Sequence, residues 1–367
     1  MAGTNATTIQ LLKKYHFTIQ KKYGQNFLID DNILSSIIDA AGIAPEDTVL
    51  EIGPGLGALT ARLCRAADRG RVVAVEVDKM LIPILQESLQ DYTNLTLINE
   101  DILKVDIEKL LARDAETGGC ASGETPKLKV VANLPYYITT PVIMELLETY
   151  DCVESITVMV QKEVAERMQE RPGSKSYGAL SLAVQFYTKP QYVMTVSRNC
   201  FLPKPDVDSA VISLEVYDPQ DRPVKPADPQ MMFRVIRAAF NQRRKTLVNA
   251  LANSAELTCS KEEILSALEQ MNLSPTIRGE ALSLQEFAGL SDRLQPLFFS
   301  KEIPQYGEDD TSQGDPLTGG EGSPDPADGV AAQELVQKTD DCIGEEIDQD
   351  QAVPLPGSEV EQHQEDA

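Results

Sequence analysis

Apolar runs of four to six residues alternate with stretches of helical period through the first half of the chain. The runs at 48–53, 71–77, 95–98, 128–132 and 156–160 are rich in Val, Ile and Leu and predict strands. From Val72 to Val77 the only polar residue is Glu76, as suits a parallel strand covered on both faces. Between the runs, spacings of three and four predict helices. One starts at Asp30 or Asp31, either of which can cap it, and carries Ile33, Leu34, Ile37 and Ile38 on one face. Others pass through Leu59 and Leu63, then 78–89, 107–111 and 142–147. A helix at 177–187 and strands at 192–196 and 210–216 follow, and beyond a Pro- and Asp-rich stretch the pattern turns wholly helical over 231–240, 243–251, 261–271 and 284–299.

Strand and helix alternating on this period predict a doubly wound α/β sheet. The expected organisation is a basic N-terminal extension at 1–22, a Rossmann-like α/β domain at 23–217, a linker at 218–229 and a small all-helical C-terminal domain at 230–300. In such sheets ligands sit beyond the carboxyl ends of the strands. Gly53, Glu76, Asp101 and Asn133 all fall at or just after predicted strand ends. Their convergence says more than any one of them.

The formal charge of −24 argues against nucleic acid until its distribution is followed. Residues 301–367 hold 19 acids and 2 bases, so the first 300 residues carry only −7. Three stretches contain no acid: 1–29, 171–205 and 229–255, with four, five and five Lys or Arg. They are either basic faces for a polyanion or solvated surface scattered over the fold. The tail from 301 has few aromatics and too little apolar surface to offset ordering entropy, so disorder is expected there, with a weak helix at 330–347. Residues 114–126 read as a Gly-, Thr- and Ser-rich surface loop. Six dispersed cysteines without a CxxC pair, and only two histidines, speak against a metal site or disulfide framework and fit a reducing cytoplasm. The N-terminus lacks a long apolar core, so neither a signal peptide nor a membrane span is expected.

Glu51-Ile52-Gly53-Pro54-Gly55-Leu56-Gly57 is a Gly-rich strand-to-helix turn that lets a backbone approach a ligand closely. Its third Gly comes one position early for the dinucleotide fingerprint, and no Gly-Lys-Ser/Thr follows as a P-loop needs. Glu76, 23 residues after Gly53, is placed to take both ribose hydroxyls of a nucleoside. These features fit the adenosine of S-adenosyl-L-methionine as well as that of NAD; the alternative is a Gly turn that serves helix packing alone. Asp101 can accept from an adenine amino group or cap the helix after it. At the fourth strand end, Asn133-Leu134-Pro135-Tyr136 joins an amide, a rigid proline and an aromatic ring. Read alone it is a Pro turn with aromatic packing. Beside a nucleoside site it suits an adenine base. The Asn133 side-chain oxygen and a backbone carbonyl, of Leu134 or Pro135, can accept the hydrogens of N6, and a ring can stack on the base. Those dipoles favour a pyramidal nitrogen whose lone pair points at a methyl donor, and no strong general base is needed.

Together with Tyr23-Gly24-Gln25-Asn26-Phe27-Leu28, residues 201–211 (FLPKPDVDSAV) and residues 239–247 (AFNQRRKTL), these motifs resemble the ribosomal RNA adenine dimethyltransferase family, and its bacterial small-subunit members in particular, over residues 15–300. The resemblance implies a Rossmann-like S-adenosylmethionine-dependent methyltransferase sheet with a small helical domain that binds RNA. It implies dimethylation of N6 on two adjacent adenosines in the 3′-terminal hairpin loop of small-subunit (16S) rRNA, in a pre-30S particle, by a monomeric cytoplasmic enzyme without metal. By position it assigns cofactor contacts to Asn26, Leu28, Gly53, Glu76, Asp101 and Asn133. It assigns catalysis to Asn133, Leu134, Pro135 and Tyr136, base stacking to Tyr136 and an exposed Phe201, and phosphate contacts to Arg234, Arg237, Arg243, Arg244 and Lys245. The acidic tail is not part of the family's pattern. Three rivals stand beside this expectation: a large-subunit (23S) rRNA methyltransferase of the same fold, which confers macrolide resistance; a nicotinamide oxidoreductase, disfavoured by the early third Gly; and a non-catalytic ribosome assembly factor.

Overall fold

The computed structural model describes residues 5–115 and 127–302. Helix α1 (Asn5–Lys14) and a two-residue strand β1 (Phe27–Leu28) precede α2 (Asp31–Ala41). The alternating part runs β2 (Thr48–Ile52), α3 (Thr60–Ala66), β3 (Arg71–Glu76), α4 (Ile82–Ser88), β4 (Leu95–Asn99), α5 (Ile107–Ala115), β5 (Leu128–Asn133), α6 (Thr139–Thr149) and β6 (Val153–Gln161). Then come α7 (Lys162–Met168), α8 (Ala179–Tyr187), β7 (Thr188–Val196), β8 (Phe201–Leu202) and β9 (Ser209–Val216). The C-terminal helical region holds α9 (Pro229–Asn241), α10 (Leu247–Ala252), α11 (Lys261–Gln270) and α12 (Leu284–Glu302).

The seven expected strands form one sheet in the order β4-β3-β2-β5-β6-β9-β7. Pairing is parallel from β4 through β6, and β9 and β7 add an antiparallel edge. The chain leaves β2 towards β3 and β4, then returns to β5 on the other side of β2. Connections therefore diverge between β2 and β5, which opens a crevice at their carboxyl ends. The pairing of Ile52 with Ala132 sets Gly53 beside Asn133 across that crevice.

Strand residues feed two apolar clusters alternately. Leu50, Val73, Val130 and Ala132 enter one, while Val49, Val72 and Val131 enter the other, against α2 and α3. This is the period-two consequence of a strand covered on both faces. The first cluster continues without a break into Phe233, Ile236 and Phe287 of the helical region. Tyr187 stacks on Phe233 with ring centroids 5.4 Å apart. Asp30 caps α2, accepting from the backbone N–H groups of Asn32 and Ile33, and Gly42 ends it at φ 55°.

Several expectations change. Residues 1–22 contain α1, whose Leu12, with Phe17 after it, is buried among Leu81, Ile84 and Leu85. Polar composition hides this helix because only one narrow side is apolar. Helix α4 starts at Ile82 because the Asp78 carboxylate and carbonyl bind the N–H groups of Met80 and Leu81 in a turn. The helix expected from 243 starts at Leu247; Thr246 is extended (ψ 152°), and the Leu247 N–H goes to the Ile277 carbonyl. The β1–β8 ribbon and α7 were not expected, since elements this short carry little period. Most of the 114–126 loop, and the tail beyond 302 with its 330–347 segment, lie outside the described residues.

Candidate active site

A cavity of about 330 Å³ opens at the crevice. Its floor is the Gly-rich turn after β2. Gly53 adopts φ +67° and Gly55 φ +58°, and a Cβ on Gly55 would come within 3.1 Å of the Phe27 ring. A side chain at Gly53 would meet nothing nearer than the Asn133 carbonyl at 4.0 Å, so here the bare backbone faces the cavity.

Three carboxylates stand around this turn. Glu76, at the end of β3, is only 5% exposed. Its Oε1 accepts from the Asp78 N–H at 2.8 Å and its Oε2 from the Gly55 N–H at 3.3 Å. Burial pushes its pKa up to about 7, against those two bonds. Asp78, also buried, accepts from the Gln25 amide at 2.7 Å, which ties the segment before β1 to the turn. Glu51, inside β2 and 2% exposed, has an Oε2 that is buried without a hydrogen-bond partner. Burial pushes its pKa to about 8, reinforced by the Glu76 charge. Across the cavity Asp101 follows β4. Its Oδ1 accepts from the Leu103 N–H at 3.2 Å, so it does cap the turn at 102–104 while still lining the cavity.

Asn133 closes β5. Its Nδ2 donates to the Asn26 carbonyl at 3.1 Å, and Oδ1 is left without a protein partner among the described residues. The Leu134 N–H is held by the Met159 carbonyl at 3.1 Å. The Pro135 carbonyl already accepts from the Ile138 N–H and the Thr139 hydroxyl, each at 3.2 Å. Of the two carbonyls considered from sequence, that of Leu134 is therefore the available one. Tyr136 is half-buried and its hydroxyl lies 2.9 Å from Ser209 Oγ, which fixes the ring plane.

The model of the family described as "Ribosomal RNA adenine dimethylase" matches residues 16–287. The chain belongs to the ribosomal RNA adenine dimethylase family. It is 55% identical over 291 residues to a "Ribosomal RNA small subunit methyltransferase A" of Lachnoclostridium phytofermentans, a match that covers 79% of this chain and 96% of the relative. A protein of the same description from Geobacillus thermodenitrificans is 47% identical over 297 residues, covering 81% and 98%. The fold resembles a dimethyladenosine transferase from Plasmodium falciparum (TM-score 0.58, 26% identity, 72% of this chain and 95% of that one). It also resembles a 23S rRNA methyltransferase (TM-score 0.52, 24% identity, 74% and 100%). The chain is thus an S-adenosylmethionine-dependent rRNA adenine dimethyltransferase.

Asn26, Leu28, Gly53, Glu76, Asp101, Asn133, Leu134, Pro135 and Tyr136 all line this same cavity. Phe201 does not. The expectation of an exposed ring is corrected: Phe201 is 4% exposed, pairs with Leu28 in the β1–β8 ribbon and packs in the cluster of Leu34, Val131 and Met159. A Pro-rich flank suggested exposure, but the ribbon turns the ring inward, so Phe201 offers no face to a base in this structure. Two of the basic residues are also committed elsewhere. Arg237 lies 3.6 Å from Glu148 and 3.7 Å from Glu256, and Arg243 bonds Glu280 at 3.0 Å. Arg234, Arg244 and Lys245 are exposed. Missed by sequence reasoning were Glu51, Gln25 and Asp78. Glu51 carried a readable signal, a carboxylate inside a run otherwise fit for a doubly covered strand. Among the described residues there is no cluster suited to a metal and no helix long and apolar enough to cross a membrane.

Proposed function

We propose that this chain uses S-adenosylmethionine to dimethylate N6 of two adjacent adenosines in the 3′-terminal hairpin loop of small-subunit rRNA, on an immature small subunit in the cytoplasm. The observation that carries this substrate is the 55% identity, over 96% of its length, to a relative described as a small-subunit methyltransferase.

The residues present fit the cofactor. Glu76 would accept from a ribose diol, Asp101 from an adenine amino group, and the orphaned Glu51 Oε2 belongs to a buried carboxyl that would give up its proton on meeting an α-ammonium group. When bound, S-adenosylmethionine supplies an electrophilic sulfonium methyl. The chain's own part is to present the amine. With its Nδ2 held on Asn26, the Asn133 amide is fixed in plane, so Oδ1 and the Leu134 carbonyl accept the two N6 hydrogens in the first transfer, and one of them accepts the single remaining hydrogen in the second. These fixed dipoles stabilise positive charge as it develops on nitrogen, and they need no reorganisation to do so. The resulting cation is acidic and loses its proton to solvent, so no histidine is required. The Tyr136 ring stacks on the extruded base and offsets part of the few kcal/mol spent removing it from its loop.

Tritium transfer from labelled cofactor to immature small subunits, followed by primer extension over both rRNAs, tests the reading. Strong stops at two adjacent adenosines near the small-subunit 3′ end are expected. Asn133→Ala should slow transfer by on the order of 10²–10³. Stops confined to large-subunit rRNA would overturn the substrate, and a wild-type rate in Asn133→Ala would overturn the mechanism.

A further inference from the structure

The acid-free segment beginning at residue 171 is not used by the site described so far. Its first eight residues (171–178) connect α7 to α8, and they are fastened to the C-terminal helical region at four points. The Arg243 guanidinium donates from Nη2 to the carbonyls of Ser174 and Lys175, and from Nε to Glu280 at 3.0 Å. The Gly173 N–H donates to the Glu280 carbonyl at 2.7 Å. The buried Tyr177 hydroxyl donates to the Leu282 carbonyl at 3.0 Å, and its ring meets Phe240 edge-on at 6.1 Å. Gly279, in the short turn 279–281, packs so closely on Ala239 that a Cβ there would lie 2.9 Å from the Ala239 Cβ. Three stretches distant in sequence, 171–178, 242–246 and 277–280, thus share one surface.

Its charge is one-sided. Arg171, Lys175, Arg244, Lys245 and Arg278 are all exposed, and no ion pair involves any of them among the described residues. Glu280 faces this cluster but is taken by Arg243. Arg167 links this surface to α6, the helix that follows Asn133–Tyr136. Arg167, close enough to Arg243 for their charges to interact, donates to the Thr140 hydroxyl at 3.3 Å, four residues beyond Tyr136.

We propose that Arg171 and Lys175 join Arg244, Lys245 and Arg278 in one phosphate-tracking surface for the RNA that enters the site, and that Arg243 is the strut joining its halves rather than a phosphate contact. This rests on the rRNA reading above. It extends the RNA-contacting surface from the helical region onto the sheet-bearing part of the chain.

The experiment first establishes which rRNA the wild type methylates, using immature small subunits and large-subunit rRNA in parallel. That step alone decides the substrate. Affinity for the methylated species is then measured across a salt titration. Arg171→Gln/Lys175→Gln should weaken binding about tenfold at moderate salt and lower the slope of log K against log salt by about two, one per lost phosphate contact. An unchanged slope would overturn the surface. Glu280→Gln separates the two roles of Arg243. A strut that loses its partner loosens the loop, so amide exchange in 171–178 quickens. Removing the Glu280 charge favours a polyanion whatever Arg243 does, so exchange decides: exchange in 171–178 as slow as in the wild type would overturn the strut. Thermal melting of each variant guards against misfolding. Should Glu280→Gln melt early, Arg243→Lys takes its place: it keeps the charge but loses the forked bonds, so a strut predicts faster loop exchange and weaker binding, while unaltered affinity and exchange would overturn it.

Discussion

Replacing Glu51 by Gln should make the free enzyme more stable and the cofactor-bound enzyme weaker. Glu51 is 2% exposed, and burial raises its pKa from 4.5 to about 8. A carboxyl whose folded pKa is raised favours the folded state while protonated, and that advantage is lost as pH rises from about 4.5 towards 8. At pH 7 the unfolded chain gains about 3 kcal/mol by ionising a group that the folded chain keeps neutral. At pH 5 the same term is under about 1 kcal/mol. Glutamine has nothing to ionise, so melting of Glu51→Gln should exceed wild type by roughly 5–10 °C at pH 8, with the gap closing towards pH 5. Cofactor affinity should move the other way. An α-ammonium that loses a buried charged acceptor loses about 1.5–3 kcal/mol, or on the order of 10–100-fold. Binding by the wild type should also expel a proton from Glu51, so affinity should climb with pH up to about 8. Differential scanning calorimetry at several pH values measures the first effect. Isothermal titration with S-adenosylmethionine in buffers of different ionisation enthalpy measures the second. A melting difference independent of pH, or a variant that binds cofactor as tightly as wild type with the same proton release, would refute the role given to Glu51.

Tyr136→Phe keeps the ring and loses only the bond to Ser209, so methyl transfer should fall less than about fivefold, while Tyr136→Ala should cost tenfold or more through lost stacking; single-turnover assays on immature subunits compare them. Phe201→Ala should cost about 3–5 kcal/mol of stability in urea denaturation, as a deleted core ring does, whereas a ring used only for stacking would leave the midpoint unchanged.

The sheet was legible because its central strands are covered on both faces. That demands runs such as 72–75 and 130–132, which no helix of polar period contains. Glu76 and Asn133 stood out for the same reason: a polar group ending such a run needs a purpose. Glu51, inside its run rather than at its end, carries the same signal, but the Gly-rich turn beside it accounts for the stretch without giving that carboxylate a role. Phe201 and Arg243 were beyond reach. Whether an aromatic in a Pro-rich segment turns inward depends on its pairing with Leu28, more than 170 residues earlier. Whether an arginine is free depends on Glu280 and on the carbonyls of a distant loop. Helix α1 was hidden because its apolar side is completed by α4, not by its own sequence.

The pairing of β2 with β5 has a consequence for reach. In the proposed mechanism, the backbone on the donor's side of the cavity and the amide that presents the acceptor amine occupy neighbouring rungs of a single ladder, Ile52 opposite Ala132 and one residue onward. Adjacent strands keep a spacing of about 4.8 Å wherever they are hydrogen-bonded. In that mechanism the ruler for methyl transfer is a strand-to-strand distance in the middle of a sheet, fixed by backbone hydrogen bonds. Loops, helices and a charged tail can be lengthened or exchanged around it while the two sides of the reaction stay in step.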